Sequence, residues 1–146
     1  MKFKLIIDTK NEEEVLARVH EKTDIINEIE ALVKSVDNPT EIIGYIDGDI
    51  KILSLEEIEC ICVENDKTYA YCIDSRQYRI KSRLYEIEKI LPPNFIKINK
   101  SAIANKKQIK RFKAQISGAV DIEFKSGKTE YVSRRCFSEL KRRLGL

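Results

Sequence analysis

The chain is poor in the side chain that most often moves protons at neutral pH: its 146 residues hold one histidine, His20. With a single imidazole and no Ser/His/Asp set, general acid–base and nucleophilic catalysis have little to work with. The sequence also lacks a P-loop and a G-x-G-x-x-G loop, the usual cradles for nucleotide phosphates. Apolar runs such as residues 60–63 are far shorter than the ~20 residues a membrane-spanning helix needs. The N-terminal stretch reaches Asp8 before a signal-peptide core could form. The expectation is a cytoplasmic protein with no membrane insertion, no catalytic residue and no cofactor. Acidic runs are present at Glu12, Glu13 and Glu14 and at Glu56 and Glu57, and runs of this kind are solvated faces rather than catalytic pairs.

Four cysteines are too scattered for a disulfide frame in a chain without a secretion signal. Cys60 and Cys62 lie two apart in an apolar run, so on a strand they share a face and act as small buried hydrophobes. A zinc site would want a tighter pair and a second pair of ligands. No metal is expected.

What the chain does have is charge, sorted along its length. Residues 1–66 hold 7 Lys/Arg against 17 Asp/Glu, a net of −10, whereas residues 67–146 hold 20 against 7, a net of +13. A basic half of this size attracts a polyanion, because each neutralised phosphate releases condensed counterions.

The apolar pattern sets out the elements. Residues 3–7 read as a strand; over 15–19, Val15, Ala17 and Val19 alternate, although Asn11 followed by three glutamates also resembles a helix start, and the strand is the preferred reading. From Thr23, Ile25, Ile26, Ile29, Leu32, Val33 and Val36 form a helical stripe expected to face a core, a dimer seam being the lesser reading, with Asp24 at the helix N-terminus and Asn38-Pro39 ending it. Residues 38–41 are the best boundary between an N-terminal appendage, 1–40, and the rest, 41–146. Beyond it come short strands: 42–46 and 50–53 around Asp47-Gly48, a hairpin signal because the turn needs positive φ, then 58–63, 68–73 and 77–81. A helix from about Ser82 ends at Pro92-Pro93. Strands at 95–98, 109–116, 119–124 and 128–132 follow, and Ser133 caps a last helix.

No pair of helices is joined by a short turn, so a helix-turn-helix reader is not expected. DNA contact would come from loops between strands, and three places are rich enough. They are the turn Asn65-Asp66-Lys67; Asn99-Lys100-Ser101 together with Asn105-Lys106-Lys107-Gln108; and Ser133-Arg134-Arg135. Lys and Arg donate to guanine O6 and N7, Asn and Gln pair with adenine, and Ser hydroxyls more often hold phosphate.

The order of these segments resembles a known family. Tyr78-Arg79-Ile80-Lys81-Ser82-Arg83-Leu84-Tyr85-Glu86-Ile87-Glu88 leads to Leu91-Pro92-Pro93-Asn94-Phe95-Ile96-Lys97-Ile98-Asn99-Lys100-Ser101-Ala102-Ile103-Ala104-Asn105. It continues through Gly127-Lys128 to Val132-Ser133-Arg134-Arg135. Over residues 42–146 this is similar to the LytTR-type DNA-binding domain of bacterial transcription regulators. Ala104 stands where that family often has Val, and Lys97 where it commonly has Arg. The resemblance implies a mostly β (α+β) fold: an elongated arrangement of small antiparallel β-sheets with short helices, its loops entering successive major grooves of double-stranded DNA. Here a small N-terminal strand–helix unit precedes it.

Carried over by position, the resemblance implies base contacts at Lys67, Lys100 beside Ser101, and Arg135. Lys97, Asn99, Lys106, Lys107 and Ser133 complete the expected DNA-binding set with Asn105 and Arg134. For Asn105, satisfying backbone groups in its own turn is the preferred reading ahead of DNA contact, and Arg134 serves either phosphate or an internal carboxylate. Many response regulators of this kind carry a receiver domain of about 120 residues. Only about 40 residues precede the match here, too few for that fold, so Asp8 reads as a turn residue and the chain as a stand-alone regulator. Its N-terminal unit is expected to form a homodimer or to bind a protein partner. Two rivals stay open: an interaction module for a sensor or membrane protein with weak DNA binding, and an RNA binder, although Tyr69, Tyr71 and Tyr78 form no RNA-recognition signature.

Overall fold

The computed structural model, which describes residues 1–37 and 39–145 and at 35–37 the backbone alone, falls into two units, Met1–Val36 and Asp37–Leu146. The first holds one regular element, helix α1 (Asp24–Asp37). Thr23 starts it: its carbonyl accepts from the N–H groups of Ile26 and Asn27, each at 3.1 Å. Asp24 and Lys34 complement the two ends of the helix dipole. The Glu30 carboxylate takes the ammonium groups of Lys22 at 2.8 Å and Lys34 at 2.9 Å, which hold its pKa down to about 2.

Two expectations fail in this unit. Residues 3–7 and 15–19 form no strand, and Phe3 and Ile7 are 91% and 86% exposed. A two-stranded ribbon with nothing against its apolar face is marginal at best, so alternation alone does not produce a ladder. Nor is the α1 stripe a core: Ile26, Ile29 and Val33 are half-buried, but Ile25 and Leu32 are exposed. Asn38, expected to help end α1, and the Val36 side chain lie outside the described residues. Asp8 does act as a turn residue, its carboxylate accepting from the Lys10 N–H at 2.9 Å.

The second unit is antiparallel throughout. Strands β1 (Glu41–Ile46) and β2 (Asp49–Ser54) form the hairpin that Asp47-Gly48 announces, with φ of 48° and 83° at the two turn residues. Strands β3 (Ile58–Glu64) and β4 (Lys67–Cys72) pair around Asn65 and Asp66, again at positive φ, and β5 (Gln77–Ile80) follows. Helix α2 (Leu84–Ile90) begins where the Glu86 carboxylate accepts from the Arg83 N–H at 3.1 Å, and stops before the two prolines. Strands β6 (Phe95–Asn99), β7 (Ala102–Asn105), β8 (Ile109–Ala114), β9 (Val120–Phe124) and β10 (Thr129–Val132) lead to helix α3 (Arg134–Leu144). Gly145 closes α3 in the left-handed conformation.

Seven strands make one sheet in the order β2-β1-β5-β4-β3-β7-β6, and β10-β9-β8 make a second. Three residues, Leu55–Glu57, join β2 to β3, which stand four places apart in the first sheet. In a flat sheet four strand spacings would be ~19 Å, whereas three residues of 3₁₀ helix advance about 6 Å. The sheet therefore curls on itself.

Its concave side, closed by α2, buries Leu53, Ile58, Ile61, Tyr78, Ile87 and Ile103. A second core lies between the other face of β3, β7 and β6 and the three-stranded sheet with α3; it holds Cys60, Cys62, Ile98, Ala104, Ile122 and Phe124. Each of the large aliphatic side chains contributes about 1.5–3 kcal/mol by leaving water. The bulge in β3 turns Glu59 between the layers, where it is fully buried and accepts from the Ser126 N–H at 2.8 Å and the Ser126 hydroxyl. Glu59 thus ties the β9–β10 turn to β3.

Candidate nucleic-acid interface

Strand direction decides which basic residues meet. β3 and β7 are antiparallel, with Cys62 opposite Ala102, so the end of β3 meets the start of β7. The Val63 N–H donates to the Ser101 carbonyl at 2.8 Å. The β3–β4 turn, which leads into Lys67, therefore lies beside the β6–β7 turn, which carries Lys100 and Ser101. Two further bonds bring α3 to the same place: the Ser133 N–H donates to the Ile98 carbonyl at 2.8 Å, and Asn99 Nδ2 donates to the Tyr131 carbonyl at 2.9 Å. Ser133 also caps α3, its hydroxyl accepting from the Cys136 N–H at 3.2 Å. Lys67, Lys100, Arg134 and Arg135 are exposed at this end, and Ser101 and Ser133 are half-buried.

The other expected DNA-binding residues stand elsewhere or have other work. Asn99 is 1% exposed, and its carboxamide also accepts from the Ser101 N–H at 2.8 Å, which fixes the β6–β7 turn. Asn105 is fully buried. Its Nδ2 donates to the Ile58 carbonyl at 2.9 Å and reaches that of Leu55 at 3.4 Å; its Oδ1 accepts from Asn94 Nδ2 at 2.8 Å and the Lys107 N–H at 3.1 Å. Both asparagines are spent on protein groups, and neither can present its carboxamide to a base edge. Lys106 and Lys107 follow the far end of β7. A four-residue strand is ~13 Å long, so these two lysines leave the sheet at the opposite end from Lys100. There Gln108 Nε2 donates to the Glu56 carbonyl at 2.7 Å. Lys97 sits mid-strand on β6 and faces the Glu88 carboxylate at 3.7 Å.

One neighbour of the cluster is absent from the sequence reading. Thr68 pairs with Ile80, so the register brings the chain at Lys81 beside Lys67. The signal was available, because a strand that pairs with the start of β4 must end at the same edge. The Lys81 ammonium lies 4.6 Å from the centre of the Tyr45 ring, a cation–π contact that fixes its stem. Three of the four cysteines are buried, and Cys136 is half-buried against the second core. Cys60 and Cys62 are buried with their Sγ atoms 2.9 Å apart, and the contact with Cys62, together with burial, holds the Cys60 thiol protonated well above its ordinary range. Burial pushes Cys72 up to about 12.

Comparison with known proteins bears on the family and the fold. The pattern of the LytTr DNA-binding domain matches residues 48–145. An uncharacterized HTH-type transcriptional regulator of Staphylococcus aureus strain NCTC 8325 / PS 47 is 32% identical over 148 residues, covering 100% of this chain and 99% of its own length. Its counterpart in strain MSSA476 is 31% identical over 147 residues with the same coverage. Among solved structures, the LytTr DNA-binding domain of a putative methyl-accepting/DNA response regulator from Bacillus cereus superposes with a TM-score of 0.69 at 20% identity. That match covers 75% of this chain and 100% of that one, and it bears on the fold alone. Among the described residues no two helices adjoin through a short turn; five strands separate α2 from α3. The scaffold that presents the basic residues is thus built of strand ends and the start of α3. By the match over residues 48–145 and by its full-length likeness to such regulators, the chain belongs to the LytTr DNA-binding domain family.

Proposed function

We propose that this protein is a sequence-specific, double-stranded DNA-binding transcription regulator of the bacterial cytoplasm. Its part from residue 41 onward reads major-groove base edges through strand-end loops, and residues 1–40 serve a separate purpose. The observation that carries the reading is the gathering of the β3–β4 turn, the β6–β7 turn and the start of α3 at one end of β3, β7 and β6. Lys67, Lys100 and Arg135 are the proposed base readers. Ser101, Ser133 and Arg134 hold phosphates, which set register without reading sequence. Lys97, Lys106 and Lys107 contribute at most to the diffuse attraction of the basic half.

The test is a mobility-shift series with DNA from upstream of the protein's own operon, shuffled DNA of the same composition, and single-stranded RNA, over a range of salt. With about five Lys and Arg side chains of the basic half, Arg134 among them, each neutralising a phosphate, log K should fall with log salt at a slope of about −4 to −5, and the upstream DNA should bind more tightly than the shuffled DNA. Equal affinity for both DNAs at every salt concentration removes sequence reading. Preference for the RNA favours the RNA-binding alternative.

A further inference from the structure

We infer that residues 1–22 are the self-association surface of this protein, and that the segments around residues 3–7 and 15–19 pair with those of a second copy. Three observations converge. The first is apolar surface. Met1, Phe3, Leu5, Ile6, Ile7, Val15, Leu16 and Val19, with Ile25 and Leu32 on α1, are each at least 42% exposed. Summed over these residues, the exposed area is on the order of 1,000 Å², comparable with the ~800 Å² that each partner contributes to a stable interface.

The second is backbone. Phe3, Leu5 and Ile7, and Val15, Ala17 and Val19, fall at every second position, with Ile6 and Leu16 adding apolar surface on the other side, yet among the described residues no strand and no backbone–backbone hydrogen bond forms over 1–22. Extended segments with free N–H and C=O groups and an apolar face are templates for another chain. The third identifies that chain. Residues 1–10 carry Lys2, Lys4 and Lys10 against Asp8, a net of +2, while residues 11–22 carry Glu12, Glu13, Glu14 and Glu21 against Arg18 and Lys22, a net of −2. A two-fold axis lays the basic segment of each copy against the acidic segment of the other, twice over. The surface is therefore complementary to itself, which is what a closed two-fold dimer requires. An acidic or a basic partner of another kind would satisfy one segment and repel the other.

The inference is independent of sequence reading by the C-terminal unit, and its test uses the full chain without DNA. Mass is measured by light scattering and sedimentation across micromolar concentrations. The wild type should give twice the single-chain 17.0 kDa. Two charge-reversed variants, Lys2→Glu/Lys4→Glu and Glu12→Lys/Glu14→Lys, change exposed side chains, and an unchanged thermal transition confirms that each stays folded. Each alone puts like charges together and should weaken the dimer by roughly tenfold or more. An equimolar mixture should restore it as a heterodimer, because each variant then meets its opposite. A monomeric wild type overturns the inference, as does a dimer indifferent to both reversals. Failure of the mixture to recover, with recovery only when all four changes are in one chain, assigns the pairing to within a single chain and overturns it as well.

Discussion

Replacing Asn105 by alanine separates a structural asparagine from a DNA-reading one. The side chain is fully buried and makes three good hydrogen bonds, to the Ile58 carbonyl, Asn94 Nδ2 and the Lys107 N–H, plus a long one to the Leu55 carbonyl. A typical bond of this kind is worth about 1 kcal/mol net, and a buried group left without a partner costs about 1–3 kcal/mol. Removing the carboxamide strands the Ile58 carbonyl in the core, while Asn94 and the Lys107 N–H, nearer the surface, regain water in part. The expected loss is about 3–4 kcal/mol, a large fraction of the ~5–15 kcal/mol that holds a domain together. Followed by far-ultraviolet circular dichroism in urea, this lowers the midpoint by about 1–3 M. Asn105→Asp should be worse, since a second oxygen replaces Nδ2 opposite two carbonyl oxygens. DNA affinity, corrected for the folded fraction, should stay within about twofold for Asn105→Ala. A variant that keeps its stability to within about 1 kcal/mol but loses DNA affinity would refute this account and return Asn105 to the interface.

The two ends of β7 make a second contrast. Lys100→Ala and Arg135→Ala should each cost about 1–3 kcal/mol on the preferred DNA site and relax discrimination at a few base pairs; Lys106→Ala/Lys107→Ala should weaken all sequences alike, which binding-site selection distinguishes. In the three-stranded sheet, Arg111 and then Lys113 hold the Glu123 carboxyl below its ordinary value of 4.5. That pair therefore adds stability above pH 4.5 and loses it as pH falls through the lower folded value; Arg111→Ala should raise the Glu123 midpoint toward 4.5 in a carboxyl NMR titration. Finally, a Cβ at Gly44 would stand 2.6 Å from Leu53 Cδ1 and 2.9 Å from Tyr78 Cβ. Gly44→Ala should cost about 1–3 kcal/mol by overpacking and lower the melting temperature.

The β-rich second unit was largely legible because its turns are chemically explicit. Asp47-Gly48 and Asn65-Asp66 supply the positive φ that tight hairpins need, and Pro92-Pro93 ends α2 where it should. The strand that escaped notice is β7. Ala102, Ile103, Ala104 and Asn105 are buried on both faces, so no polar alternation marks them. Reading residues 99–108 as one loop merged two basic groups that the strand holds apart. Asn99 was placed at the DNA for a related reason, whereas Asn105 takes the structural role preferred for it over DNA contact: a sequence shows a carboxamide's capacity but not the backbone groups that use it. In the first unit the error ran the other way, since residues 3–7 and 15–19 have strand-forming composition but, among the described residues of that unit, make no ladder.

The wall formed by β3, β7 and β6, with a core on either side, has a kinetic consequence. Neither core can open without exposing a face of the same three strands, so the two halves of this unit should rise and fall as one cooperative block. Native-state hydrogen exchange should find the slowest amides at Ile61 and Ile103, opposite each other in the middle of that wall, with the β1–β2 hairpin exchanging earlier at the sheet's far edge. A DNA-binding end mounted on the slowest-opening strands is held in place by the global stability of the fold, and binding should need little ordering of the scaffold beneath it.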